Sequence, residues 1–125
     1  MSNLVESVIN SPDNLIAGYS DVISVAGVVA SGEGVLARGS VLGKITASGE
    51  YDLVNSLGTD DGSRTAAAIL AHDVDTTDAS ATVAVYVKGE FNENALTFGG
   101  TDVAATHKAT LQSLGIFLRP AVGVE

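Results

Sequence analysis

Glycine cuts this chain into short pieces. Fourteen glycines are spread through 125 residues, and the stretches between them are built largely from Val and Ala. Glycine readily takes positive φ, and it weakens the interior of any helix or strand it occupies. Such spacing predicts many short strands joined by tight turns rather than long helices. The aromatic content points the same way, with three Tyr, three Phe and no Trp to build a large core. The length suits one domain. A domain of this size removes only about two thirds of its unfolded surface from water, so association would add to its stability. With 46% hydrophobic residues the chain is too apolar to be intrinsically disordered.

Charge narrows the partners. Fifteen acids against six bases give a formal charge of −9. Residues 1–21 hold three acids and no Lys or Arg, and residues 50–98 hold nine acids and two bases. Such a field repels phosphate, so neither nucleic acid nor an anionic membrane is an expected partner. There is no cysteine, which excludes disulfides, thiol catalysis and cysteine-bound metal. The opening residues Met1 to Glu6 lack the basic and apolar regions of a signal peptide. The most apolar run, Val22 to Ala30, is about half the length of a membrane span. A soluble protein made in the cytoplasm is therefore expected.

Along the chain, residues 1–21 stand apart from residues 22–125. The apolar pairs Leu4-Val5, Val8-Ile9 and Leu15-Ile16 are separated by Asn, Ser, Pro and Asp, and Pro12 breaks any helix. This segment reads as an extended arm with apolar contact points; the alternative is a frayed terminus without a role. Residues 22–125 read as one domain. Val22 to Val29 suits a buried strand, and Gly32-Glu33-Gly34 a turn. Val41 to Thr46, with Val41, Gly43, Ile45 and Ala47 on one face, turns at Ser48-Gly49-Glu50 and returns as Tyr51 to Val54, a hairpin. Gly58 to Arg64 is a polar loop. Ala66 to Val74 reads as one strand and Asp75 to Asp78 as a turn. Thr82 to Lys88 shows the cleanest alternation, with Val83, Val85 and Val87 on one face, and Gly89 is expected to end it. Asp102 to Leu114 reads as a helix capped by Thr101 or Asp102 and closed by Gly115. Its stripe is Val103, His107, Leu111 and Leu114. Ile116 to Leu118 follows as a short strand.

No motif points to catalysis or to a cofactor. Gly32-Glu33-Gly34-Val35-Leu36-Ala37 matches a dinucleotide fingerprint in letters, but no helix is predicted to start there to meet a pyrophosphate. Gly39 to Lys44 is one residue short of a P-loop and is followed by Ile45 where Ser or Thr is needed. Asp73, Asp75 and Asp78 do not keep calcium-loop spacing, since the sixth and twelfth positions fall on Asp78 and Ala84. His107, on the helix stripe, is expected as a hydrogen-bonded core residue. There is no nucleophile elbow.

Several elements in order carry a family resemblance. They are Val41 to Ile45 leading into Gly49-Glu50-Tyr51, and Asp61-Gly62-Ser63 ahead of Ala66 to Leu70. The strand Val83 to Gly89 then leads to Glu90-Phe91-Asn92 and Ala95-Leu96, and Leu111-x-x-Leu114-Gly115-Ile116 closes the series. From Arg38 onward the chain resembles the lambda head protein D-like family of head decoration proteins of tailed bacteriophages. It departs at Thr97 to Gly100, where some relatives carry Trp-Pro. The resemblance implies a mainly β, α+β domain, a small barrel or tulip of short strands and loops with one helix in its C-terminal half. It implies a non-enzymatic homotrimer on the outer surface of the virion capsid, at three-fold positions of the expanded head, stabilising it against packaged DNA. The partner implied is the major capsid protein, met by the N-terminal arm. Leu4, Val5, Val8, Ile9, Leu15 and Ile16 are the arm residues expected to contact it. Competing readings are another phage structural subunit (tail tube or fibre), a small-ligand domain at the glycine loop, and a carbohydrate-binding module.

Overall fold

The alternating stretch Thr82 to Lys88 lies at the centre of the fold. The structure, a computed structural model, describes residues 15–17 and 22–120. In chain order its elements are β1 (Ile23–Val29), β2 (Val35–Leu36), β3 (Val41–Lys44), β4 (Tyr51–Leu53), β5 (Ala66–Leu70), β6 (Val74–Asp75), β7 (Ala81–Asn92), a 3₁₀ turn (Glu93–Ala95), α1 (Ala104–Ser113) and β8 (Ile116–Arg119). Five strands close on themselves in the order β1-β4-β3-β5-β7, with β7 pairing back to β1. The long seam of this barrel is antiparallel, Ile23 to Val29 against Lys88 to Ala81. β8 joins the far end of β7 in parallel, from Gly89↔Ile116 to Asn92↔Arg119. β2 and β6 form a separate ribbon. The fold is the expected one: mainly β, a small barrel, with a single helix among the described residues, in the C-terminal half.

Two cores share these strands. Inside the barrel lie Val29, Leu42, Tyr51, Leu70 and Val85. Between the barrel wall, α1 and β8 lie Val41, Ile69, Phe91, Leu111 and Ile116. A strand alternates its side chains, so one lying between two cores must be apolar on both faces. β3 shows this directly, with Val41 and Leu42 both fully buried but on opposite sides. In β5 the register slips, Leu42↔Ala68 being followed by Gly43↔Ala66. The extra residue, Ala67, lets Ala66 face the outer core while Ala68 faces the barrel. The predicted hairpin is present, with Leu42↔Leu53 and Lys44↔Tyr51 in register. In β7, Val83, Val85 and Val87 face the barrel and Tyr86 the other core, as the alternation requires.

Four expectations need correction. First, Gly89 does not end its strand; β7 runs on to Asn92. Gly89 has φ +143°, and a Cβ there would meet Val22 and Phe91 side-chain atoms at 3.2 Å. The glycine permits a bend, after which β8 supplies new pairing. Second, Ala66 to Val74 is two strands with a break at Ala71 to Asp73. Arg38 sits at the break: its guanidinium donates to the Ala71 carbonyl and its N–H to Asp73 Oδ1, both at 2.8 Å, while the Ala71 N–H keeps its bond to the Ala84 carbonyl. Third, the first strand is not buried throughout. Ile23 to Ala26 are exposed and only Gly27 and Val29 are buried, because β1 meets β4 at Val29↔Tyr51 alone. Fourth, the helix begins at Ala104 behind Val103, whose N–H donates to Thr106 Oγ1 at 3.1 Å. Neither Thr101 nor Asp102 caps it. The stripe is buried only in its middle, at His107 and Leu111, while Val103 and Leu114 at the ends are exposed. Gly115 closes the helix at φ +94°, as expected.

Leu111 is fully buried between α1 and the outer core. Leu111→Ala is expected to cost about 2–5 kcal/mol and Leu114→Ala under about 0.5 kcal/mol, read from thermal denaturation of the two variants.

Candidate functional site

The N-terminal segment enters the described fold at Leu15. The Asn92 N–H donates to the Leu15 carbonyl at 2.7 Å and the Ala17 N–H to the Glu90 carbonyl at 2.9 Å. Ile16 stands opposite Phe91 in an antiparallel bridge. Leu15 is 3% exposed and belongs to the outer core. Leu15, expected as an arm contact, has its apolar surface covered by this chain's own outer core. Ile16 remains on the surface, 43% exposed. The other four expected contacts, Leu4, Val5, Val8 and Ile9, lie outside the described residues. Residues 15–17 pack against β7 and the outer core, the first of them seven residues ahead of Val22, the expected start of the body.

The surface around this entry differs from the rest of the molecule. Glu90, which bonds the segment through its carbonyl, pairs on β8 with Phe117, itself exposed. Leu114 adds a further exposed apolar side chain at the end of α1. Three of the six bases gather along β7 and its continuation: Arg119 pairs with Glu90, Lys108 lies 3.4 Å from Glu93, and Lys88 runs past Gly115. Residues 50–78 hold seven acids and one base. Sequence reading missed this division, since Lys88, Lys108 and Arg119 are far apart along the chain.

A second constellation, Ser56, Asp102 and His107, has the residue types of a hydrolase. Ser56 donates to Asp102 through its N–H at 2.7 Å and its hydroxyl at 2.6 Å, and His107 Nε2 lies 2.7 Å from the same carboxylate. The order is wrong for catalysis. A nucleophilic serine needs the histidine beside it to take its proton; here the carboxylate separates them. Burial pushes the Asp102 carboxyl up, but the Ser56 hydroxyl and the His107 ring pull harder, and it ends below its ordinary value. Asp102 and His107 side chains are 3% and 4% exposed. Phe98, from the segment that departs from the family pattern, stacks on His107 with ring centroids 5.8 Å apart. The network pins the start of α1 to the loop after β4. His107 is the hydrogen-bonded core residue expected; Asp102, read only as a cap, is its hub. The glycine turn at Gly32 to Gly34 leads into β2, not into a helix, so it lacks the helix N-terminus a dinucleotide would need.

A closed barrel carrying one docked helix, braced by the Ser56–Asp102–His107 network, defines a small β-rich domain. The sequence model of bacteriophage lambda head decoration protein D matches residues 6–116, and the chain belongs to that family of phage head decoration proteins. No curated protein matches the chain by sequence. Membership supports a structural protein associated with the phage capsid.

Removing the hub should show its structural weight. Asp102→Ala leaves the buried His107 and the partly buried Ser56 without their acceptor and should cost about 3 kcal/mol. Because the Asp102 carboxyl is held below its ordinary 3.8, its contribution is present above that pH and lost as pH falls through the folded value. Melting temperatures of wild type and variant should therefore converge in strong acid.

Proposed function

We propose that this protein is a non-enzymatic cement of the phage head. It binds the exterior of the expanded capsid as a homotrimer at three-fold positions and stabilises the shell against packaged DNA. The observation that carries this reading beyond family membership is the entry of the N-terminal segment. Leu15 is sunk in the core and residues 15–17 are hydrogen-bonded to β7, so pull on the fourteen residues ahead of Leu15 is transmitted to the body. Those residues carry Leu4, Val5, Val8 and Ile9, with Glu6 and Asp13 and no base. Fourteen extended residues can span up to about 50 Å, enough to reach a neighbouring capsid subunit.

Leu4, Val5, Val8 and Ile9 would bind by adding a strand to an exposed sheet edge of the major capsid protein, where backbone hydrogen bonds give affinity and alternate side chains fill pockets. Ile16, exposed beside the entry, would extend the contact. Three linked arms gain avidity, on the order of 10²- to 10⁴-fold over one. The acid-rich loops suit a surface turned away from DNA.

The body boundary at Leu15 sets the test. A variant lacking residues 1–14 should keep its melting temperature and trimeric state yet fail to decorate expanded, undecorated capsids seen by electron microscopy. Full decoration by that variant would remove the arm from the mechanism. A monomeric wild-type protein in solution would remove the trimer.

A further inference from the structure

Asp52 is a partly buried acid with no part in the proposed capsid contact. β4 sets Tyr51 into the barrel and so turns Asp52 to the outer face, opposite Gly43 of β3. The loop Gly58 to Arg64 lies where a side chain on Gly43 would be: a Cβ there would stand 2.1 Å from the Ser63 carbonyl oxygen. The loop covers the carboxyl. Asp52 Oδ1 is buried and has no hydrogen-bond partner among the described residues.

The groups facing Asp52 share its charge. Glu33, from the β1–β2 connection, accepts the Leu53 N–H at 3.1 Å, and Asp61 comes from the loop. The nearby bases are engaged elsewhere, Arg64 Nε with the Gly58 carbonyl at 2.8 Å and Lys44 over the Tyr51 ring at 5.8 Å. Ser63 stands between the two aspartates. Its hydroxyl donates to Asp61 Oδ1 and lies close enough to the Asp52 carboxylate to favour its charged form. A hydroxyl has one proton to give, so two ionised carboxylates cannot both be satisfied by it. A proton on Asp52 turns that carboxyl into a donor to Ser63 Oγ and completes a chain from Asp52 through Ser63 to Asp61.

We propose that this chain is a proton-operated latch, in which a proton on Asp52 fastens the loop Gly58 to Arg64 onto the β3–β4 hairpin and its loss loosens the loop. Asp61 is the partner that stays ionised, held below its ordinary range by the Ser63 hydroxyl and N–H. Burial, with Glu33 beside it, pushes the Asp52 carboxyl up to about 6, against the pull of Ser63. The unfolded chain releases this proton near 3.8. The latch is therefore fully present below that value and lost as pH rises through about 6.

The Thr46 N–H reports on the latch, because it donates to the Asp61 carbonyl at 2.8 Å and ties the loop to the hairpin turn. Amide exchange of Thr46, corrected for intrinsic rates, should show protection on the order of tenfold higher at pH 5 than at pH 7.5. Asp52→Asn supplies a permanent donor and should hold Thr46 at the high-protection level at both pH values. Ser63→Ala removes the relay and should leave protection low at both. Glu33→Gln should keep the latch and move its midpoint to lower pH. Equal protection at both pH values in wild type, an unchanged pH dependence in Asp52→Asn, or an unmoved midpoint in Glu33→Gln would overturn the proposal. None of these readouts depends on capsid binding.

Discussion

The pairing of β7 is the constraint on which the rest of the molecule depends. A twelve-residue strand in so small a protein exposes a long row of backbone donors and acceptors, and each must find a partner. β1 takes the first part, β5 the middle, β8 and the Leu15–Ala17 segment the last. Those assignments fix the layers. Because β1 returns to the strand that β5 already pairs with, the sheet closes into a barrel. β8 pairs with β7 from Gly89 onward, and α1, which leads into β8, packs against β8 and β5 over the outer core. Gly89 thus divides β7 into a longer part that builds the barrel and a shorter part that pairs with β8 and the Leu15–Ala17 segment.

Local pattern made much of this legible. Val83, Val85 and Val87 announce a strand with one apolar face, and they line the barrel. Glycine at 49 and 115 marks a turn and a helix end, both at positive φ. What failed did so where tertiary contacts outrank local preference. Gly89 reads as a stop because nothing near it in sequence reveals β8 as a second partner. Ala66 to Val74 reads as continuous because Arg38, whose hydrogen bonds lie at the break, is more than thirty residues away. Val22 to Val29 reads as buried because its apolar character is real, yet burial depends on β4, which reaches only its last residue. Asp102 reads as a cap because Asp favours that position, while its carboxylate is claimed by Ser56 and His107 across the fold.

Of the expected contact residues, the structure describes only Leu15 and Ile16, and the sequence did not reveal the difference between them. Three apolar pairs in a base-free segment look equivalent as sequence. The structure distinguishes the last pair: Leu15 faces the core and Ile16 faces out, as period-two alternation requires once the segment is hydrogen-bonded to β7. No pattern in residues 1–21 could reveal this, since the docking partner is Glu90 to Asn92.

In the proposed cement role, that docking would let a short segment carry load. An arm joined to its domain only through the next peptide bond would transmit load to whatever follows it, here the exposed first half of β1. Leu15 instead carries load into the outer core, where Phe91, Leu111 and Ile116 converge and where β7 and β8 are paired. Pull along the segment meets two backbone hydrogen bonds to β7 and a buried side chain together, so it loads the barrel's longest strand rather than its weakest edge. The charge distribution fits the same division. Lys88, Lys108 and Arg119 moderate the acidity around the entry, while the acid-rich loops of residues 50–78 carry most of the negative field. A negatively charged partner would meet less repulsion beside that entry than beside those loops.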